Sequence, residues 1–254
     1  MQVLPIPTPL IRRGDVIADV LIACSNLRSG DIVVVSSKAV ATAEGATIDL
    51  TKITPSKEAI AWTERCGRSP EFRQAILDET ARMHGRVLGS CPLAMLTELR
   101  PDGLSEGSLL VANAGLDLSN TTEGTAIGWP HDPVQSIASI RRHIKEKTGA
   151  DVAVIITDSQ CRPRRWGVVA CALAVSGLDP LEDLRGREDL FGHTLSMTQE
   201  ARADQLATAA NTVMGNASES IPAAIIRDHG LSFGDFEGWV PGVEPEEDLF
   251  RGIV

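Results

Sequence analysis

The apolar run Val152-Ala153-Val154-Ile155-Ile156 leads into Thr157-Asp158-Ser159, and Arg162, Arg164 and Arg165 follow. A carboxylate and a hydroxyl at the end of a buried strand are suited to holding a hard metal ion beside nucleotide phosphates. The three arginines add forked donors for phosphate or carboxylate oxygens. The same residues also suit a strand-to-helix cap, with Asp158 as the N-cap and the arginines in water.

A second cluster is Asn113-Ala114-Gly115-Leu116-Asp117-Leu118-Ser119-Asn120. Its small residues let backbone approach a ligand, and Asp117 and Asn120 offer oxygens to a cation. A polar turn needs the same residue types. A third segment runs from Met214 through Gly215, Asn216, Ala217, Ser218, Glu219 and Ser220 to Ile221. It suits a phosphate-and-metal loop, and equally a helix C-cap followed by a turn. Ser36-Ser37-Lys38 places one point charge after a strand. Arg185 and Arg187 lie in a dense charge run between Pro180 and Gly192, which fits an anion site or a solvated, ion-paired loop. Met197, Met214 and the four tryptophans read as packing residues.

The elements that must position these groups follow from periodicity. Asp31-Ile32-Val33-Val34-Val35 is a β-branched run after the turn pair Ser29-Gly30, and reads as a buried strand. Residues 55–86 read as helical, with Ser56 capping one helix and Pro70-Glu71 opening another. Strands are expected at Leu109-Leu110-Val111-Ala112, at 152–156, at 168–175 and at Ala223-Ala224-Ile225-Ile226. Helices are expected at 134–147, with Ile137, Ile140 and Ile144 on one face, and at 201–214, ended by Gly215. The tail from Glu237 is acidic and broken by Pro and Gly, and reads as a flap or a dimer contact. Strands and helices mix without regular alternation, which points to an α+β fold in a single domain over residues 1–254.

Bulk properties narrow the partners. The chain has 254 residues, 43% hydrophobic and 23% charged, as expected of an ordinary globular protein. A net charge of −10 and 4% aromatic residues argue against a nucleic-acid surface. No apolar run reaches the roughly 18 residues of a membrane span, and no secretory leader is visible, so the expected location is cytoplasmic. Five scattered cysteines without a C-x-x-C pair disfavour a zinc site or a disulfide framework. The chain has no Walker A loop, no dinucleotide fingerprint, no G-x-S-x-G elbow and no H-E-x-x-H pair. A nucleotide, if used, needs an uncommon cradle.

Taken in order, several segments resemble the coenzyme F420-0:L-glutamate ligase (γ-glutamyl ligase) family. They are Gly30 to Lys38, Ala43-Glu44-Gly45, Ala112 to Asp117, Ile156-Thr157-Asp158-Ser159, Arg185-Gly186 with Asp189-Leu190-Phe191-Gly192, and Ala203-Asp204. The resemblance implies a family-specific α+β fold of mixed sheet and helices, found as an intertwined homodimer. It implies GTP as co-substrate, two divalent ions (Mn2+ or Mg2+) and a stimulating K+, with L-glutamate and the deazaflavin precursor F420-0 as partners.

The resemblance also implies roles by position. Thr8, Pro9, Leu10, Ile11, Ser37 and Lys38 would line the GTP site, and Asn120 would contact GTP. Asp117 and Asp158 would hold one metal ion, and Ser159 with Asn216 the second. The Met214–Ile221 loop would wrap the phosphates, and Asp117, Asp158 and Arg162 are the expected catalytic groups. The implied reaction passes through an acyl phosphate, so electrostatics and positioning can supply the catalysis without a histidine base.

The sequence departs from the family pattern at Thr42, where a GTP-contacting lysine is usual, at the segment Gln160 to Trp166, and at Asn216. These departures motivate two rival expectations: a nucleotide-binding paralogue without catalysis, and an amide ligase for another carboxylate.

Overall fold

The computed structural model describes residues 1–252. The first half of the chain forms β1 (Gln2–Ile6), α1 (Ile17–Cys24), β2 (Ile32–Ser36), α2 (Ser37–Glu44), β3 (Thr47–Asp49), α3 (Lys57–Cys66), α4 (Pro70–Arg82), β4 (Arg86–Cys91), β5 (Ala94–Leu99) and β6 (Leu109–Ala112). The second half forms β7 (Thr125–Ile127), α5 (Pro133–Thr148), β8 (Ala153–Cys161), β9 (Val168–Ser176), β10 (Glu182–Asp183), β11 (Gln199–Glu200), α6 (Arg202–Met214), β12 (Ala223–Arg227) and β13 (Glu237–Trp239). The expected α+β class is what the described residues adopt.

A six-stranded sheet in the order β1-β12-β2-β8-β9-β13 carries the fold. Only β2 and β8 run parallel; the other neighbours are antiparallel. The β2 run is apolar throughout because both faces of this strand are covered. Val33 and Val35 join a core with Ile137, Ile140 and Ile144 of α5 and Ile17, Ala18 and Leu21 of α1. Ile32 and Val34 join a second core with Ala203, Leu206, Ala207 and Ala210 of α6. Each valine, leucine or isoleucine among them contributes about 1.5–3 kcal/mol when fully buried. α5 starts where Asp132 accepts the Gln135 amide and ends at Gly149 in the left-handed region.

Two expectations need correction. Asp158 does not end its strand, because β8 continues to Cys161 and turns back into β9. The cap alternative fails for the same reason, since no helix follows. The tail does not float as a whole: β13 pairs with β9, and Trp239 is buried. The region 55–86 forms the two expected helices, α3 capped by Ser56 and α4 opening at Pro70, and only its last residue enters β4. The helix α2, directly after β2, was not legible from periodicity.

A β-bulge at the β8–β9 pairing has a local consequence. Ile156 pairs with Ala174 but Thr157 pairs with Ala172, so Leu173 is the extra residue. Leu173 and Ala174 accordingly enter the same core. β2 stops pairing with β8 at Thr157, so from Asp158 onward that edge of β8 is open. The cleft described next lies there.

Candidate active site

The cleft is a cavity of about 560 Å³ at the carboxyl ends of the parallel pair β2 and β8. That end of a parallel pair is where α/β sheets commonly bind ligands. Alternation along β8 turns Asp158 toward the face of Val154 and Ile156, and Ser159 toward the face of α6. The open edge lets both reach the same cavity.

The separate sequence segments meet here. Thr8, Pro9, Leu10, Ile11, Lys38, Thr42, Asp117, Asn120, Asp158, Ser159 and all of the Met214–Ile221 loop line it. Backbone and side-chain bonds tie the walls together: Thr8 N–H to the Ser220 carbonyl at 3.0 Å, and Asn120 Nδ2 to the Ala217 carbonyl at 3.0 Å. Ser159 donates to Asn216 Oδ1 at 2.9 Å. The loop also closes on itself, where Glu219 accepts the Ala217 amide at 2.8 Å. Gly215 suits the turn there, because its φ of +73° is one that other residues rarely adopt, and a Cβ would also push the Glu219 carboxylate off the Ala217 amide.

Two expected residues sit differently. Ser37 is fully buried behind the cavity wall. Arg162, with Arg164 and Arg165, occupies the exposed turn beyond β8 and does not line the cavity. Arg185 and Arg187 pair with Asp183 and Glu182 of their own arm, as the solvated-loop alternative holds.

The two acids are shifted in opposite directions. Asp117 Oδ1 accepts the Leu118 and Ser119 amides at 2.6 and 2.9 Å, and Oδ2 accepts the Ser119 hydroxyl and the Lys38 ammonium. Burial opposes its ionisation, but Lys38 and the Ser119 donors prevail and hold the carboxyl at about 2. Asp158 is pushed above the usual carboxylate range by burial, with the Trp129 indole, Lys38 and the Ser159 amide opposing. Its Oδ2 accepts Trp129 Nε1–H at 2.6 Å. Sequence reasoning missed Trp129, which looked like packing. It also missed Asn211, one turn before the phosphate-loop candidate and on the cavity wall.

Carboxylate, hydroxyl and amide oxygens at one cleft are donors for a hard cation. Among the described residues, no group of three or more His, Cys, Asp and Glu forms a metal cage. Asp117, Asp158 and Glu219 all line the cavity without converging as a trio, so an ion held by Asp117 and Asp158 would complete its shell with water and phosphate oxygens, as Mg2+ commonly does.

Comparison with known proteins then decides the family. The sequence pattern described as F420-0:Gamma-glutamyl ligase matches residues 5–228. The chain belongs to the F420-0:gamma-glutamyl ligase family. The coenzyme F420:L-glutamate ligase of Methanothermobacter thermautotrophicus is 40% identical over 251 residues, covering 96% of each chain. The enzyme of that name from Methanopyrus kandleri is 39% identical over 252 residues, again 96% of each. That from Methanocaldococcus jannaschii is 38% identical, covering 99% of this chain and 97% of the relative. Every cavity-lining residue, from Thr8 to Pro222, falls inside the family match. No helix is long and apolar enough to cross a membrane among the described residues.

Proposed function

We propose that this chain is a GTP-dependent ligase that adds L-glutamate to the terminal carboxylate of F420-0, and then extends it through γ-linkages. The observation that carries the reading is convergence: four segments far apart in sequence place acids, a lysine, amides and hydroxyls around one cavity at the start of α2. The first amides of α2 have no side-chain cap, and free amides at a helix start suit phosphate oxygens.

In this reading the F420-0 carboxylate attacks the γ-phosphorus, the bond to the β-phosphate oxygen breaks, and GDP leaves. The glutamate amine then attacks the acyl carbon, phosphate departs, and the amine gives up a proton as the amide forms. Asp117 and Asp158 would hold one divalent ion, Ser159 and Asn216 the second. Mn2+ or Mg2+ there would offset the repulsion between the carboxylate and the triphosphate. Lys38 adds a point charge on the same side of the cleft, and the Met214–Ile221 loop encloses the phosphates.

The homodimer belongs to the same reading. The arm between β10 and β11 carries Leu190, Phe191 and Met197 at 99%, 86% and 87% exposure, and Trp166 at the β8–β9 turn is fully exposed. Apolar groups this bare call for a cover, and light scattering on wild type and Phe191→Ser tests it.

The deciding assay combines purified protein, F420-0, L-glutamate, GTP, Mn2+ and K+, read by mass spectrometry. Glutamyl product formed in step with GDP is the expected result. GTP bound without glutamyl product favours the non-catalytic paralogue or another acceptor, and directs attention to Thr42.

A further inference from the structure

A short segment that the sequence patterns left unassigned bonds to both acid-bearing residues. Asp117 and Ile127 pair backbone to backbone in both directions: the Asp117 amide reaches the Ile127 carbonyl at 2.8 Å, and the Ile127 amide reaches the Asp117 carbonyl at 2.9 Å. Two residues further on, Trp129 Nε1–H donates to Asp158 Oδ2 at 2.6 Å. One stretch of chain therefore touches both carboxylate-bearing residues, which lie on different strands and loops. The same stretch, as β7, pairs with β3, which follows the Lys38 helix α2.

The indole is fixed on several sides. Trp129 is 4% exposed. Trp239 packs against it with ring centroids 5.9 Å apart, and is itself anchored by Nε1–H to the Asp102 carbonyl. Gly115, two residues before Asp117, has φ +77°, and a Cβ there would lie 2.7 Å from the indole. A side chain at position 115 would displace the ring that holds Asp158. The Asn113–Gly115 turn and the Trp129 ring thus fit only as a pair.

We propose that the segment from Thr125 to Trp129 fixes the spacing of Asp117 and Asp158, with Trp129 as a positioning residue for the Asp158 carboxylate. The indole N–H occupies the Oδ2 oxygen of a carboxylate that lines the cavity. This rests on the ligase reading only in taking Asp158 as a functional oxygen donor.

The test compares wild type, Trp129→Phe and Trp239→Phe. Phenylalanine at 129 keeps a ring in the core and removes only the donor and part of the volume. Mn2+ affinity is measured by electron paramagnetic resonance with GDP present, alongside thermal unfolding to show that each variant is folded. Trp129→Phe is expected to weaken Mn2+ binding about 10–100-fold, the range seen when the partner of a metal ligand is removed. It should lower kcat while leaving KM for L-glutamate unchanged. Trp239→Phe should lower stability and leave Mn2+ affinity as in wild type. A folded Trp129→Phe protein with wild-type Mn2+ affinity overturns the proposal, as does an equal loss in Trp239→Phe.

If wild type itself binds no Mn2+ with GDP, the metal-dependent ligase reading fails, and the positioning claim is decided by NMR. The Trp129 indole proton, assigned by its absence in Trp129→Phe, is expected downfield and should shift in Asp158→Ala. A resonance unmoved by Asp158→Ala overturns it.

Discussion

The ammonium of Lys38, in the first turn of α2, bonds to the carboxylate of Asp117, carried by a loop after β6. This lysine supplies positive charge that keeps the Asp117 carboxyl ionised. The pair makes the acid limb of stability depend on Lys38. Asp117 is held at about 2 against an ordinary 3.8, so its contribution is full above pH 3.8 and is lost as pH falls through 2. Its side chain is 41% exposed, so after discounting for solvent the contribution is about 1 kcal/mol. Urea midpoints from pH 5 to pH 2 in EDTA should fall less steeply for Lys38→Met than for wild type.

Asp158→Ala removes one of the three carboxylates that line the cleft while leaving β8 paired on its β9 side. Turnover in the glutamylation assay is expected to fall about 10²-fold or more, since metal-assisted charge stabilisation is worth several kcal/mol. The far-ultraviolet circular dichroism spectrum should be unchanged. Near-normal activity in this variant would sink the ligase reading.

Asp204 accepts the amide of Ala172 at 2.8 Å, beside the bulge at Leu173. Asp204→Ala leaves a part-buried amide without that acceptor, and denaturant unfolding should show a loss of about 1–3 kcal/mol.

The Cys171 thiol is pushed up to about 12 by burial, with the carboxylates of Asp204 and Asp158 adding to the effect. It should resist a thiol reagent at pH 8 in the native state, where exposed Cys91 and Cys161 react. Peptide mapping after labelling checks this, and all five cysteines should label once the chain is unfolded.

Asn120→Ala cuts the tie from the Asp117 loop to the Ala217 carbonyl. Loss of this single bond, worth about 1 kcal/mol, should raise KM for GTP severalfold with little change in kcat. A fall in kcat alone would place Asn120 in the chemical step instead.

The residue patterns alone were enough for several elements. The β-branched runs of β2 and β8 and the isoleucine face of α5 are local signals, because burial on both faces or on one face imposes its period on neighbouring residues. Family membership was legible too, since it rests on ordered segments from Gly30 to Asp204. The path of β8 past Asp158 was not legible, because a strand continues where a partner strand is available, and β9 lies beyond a turn. The arginines looked like part of the cleft through closeness in sequence, yet that hairpin carries Arg162 out into solvent.

Trp129 makes the same point in reverse. Twenty-nine residues separate it from Asp158, and no periodicity links them, yet the indole N–H needs an acceptor once buried, and Asp158 is there. The sequence by itself determined which residues are apolar, which are acidic and which family they spell. Only the tertiary structure decided which oxygens share one cavity, because strand register and bulges are set by contacts between residues far apart in the chain.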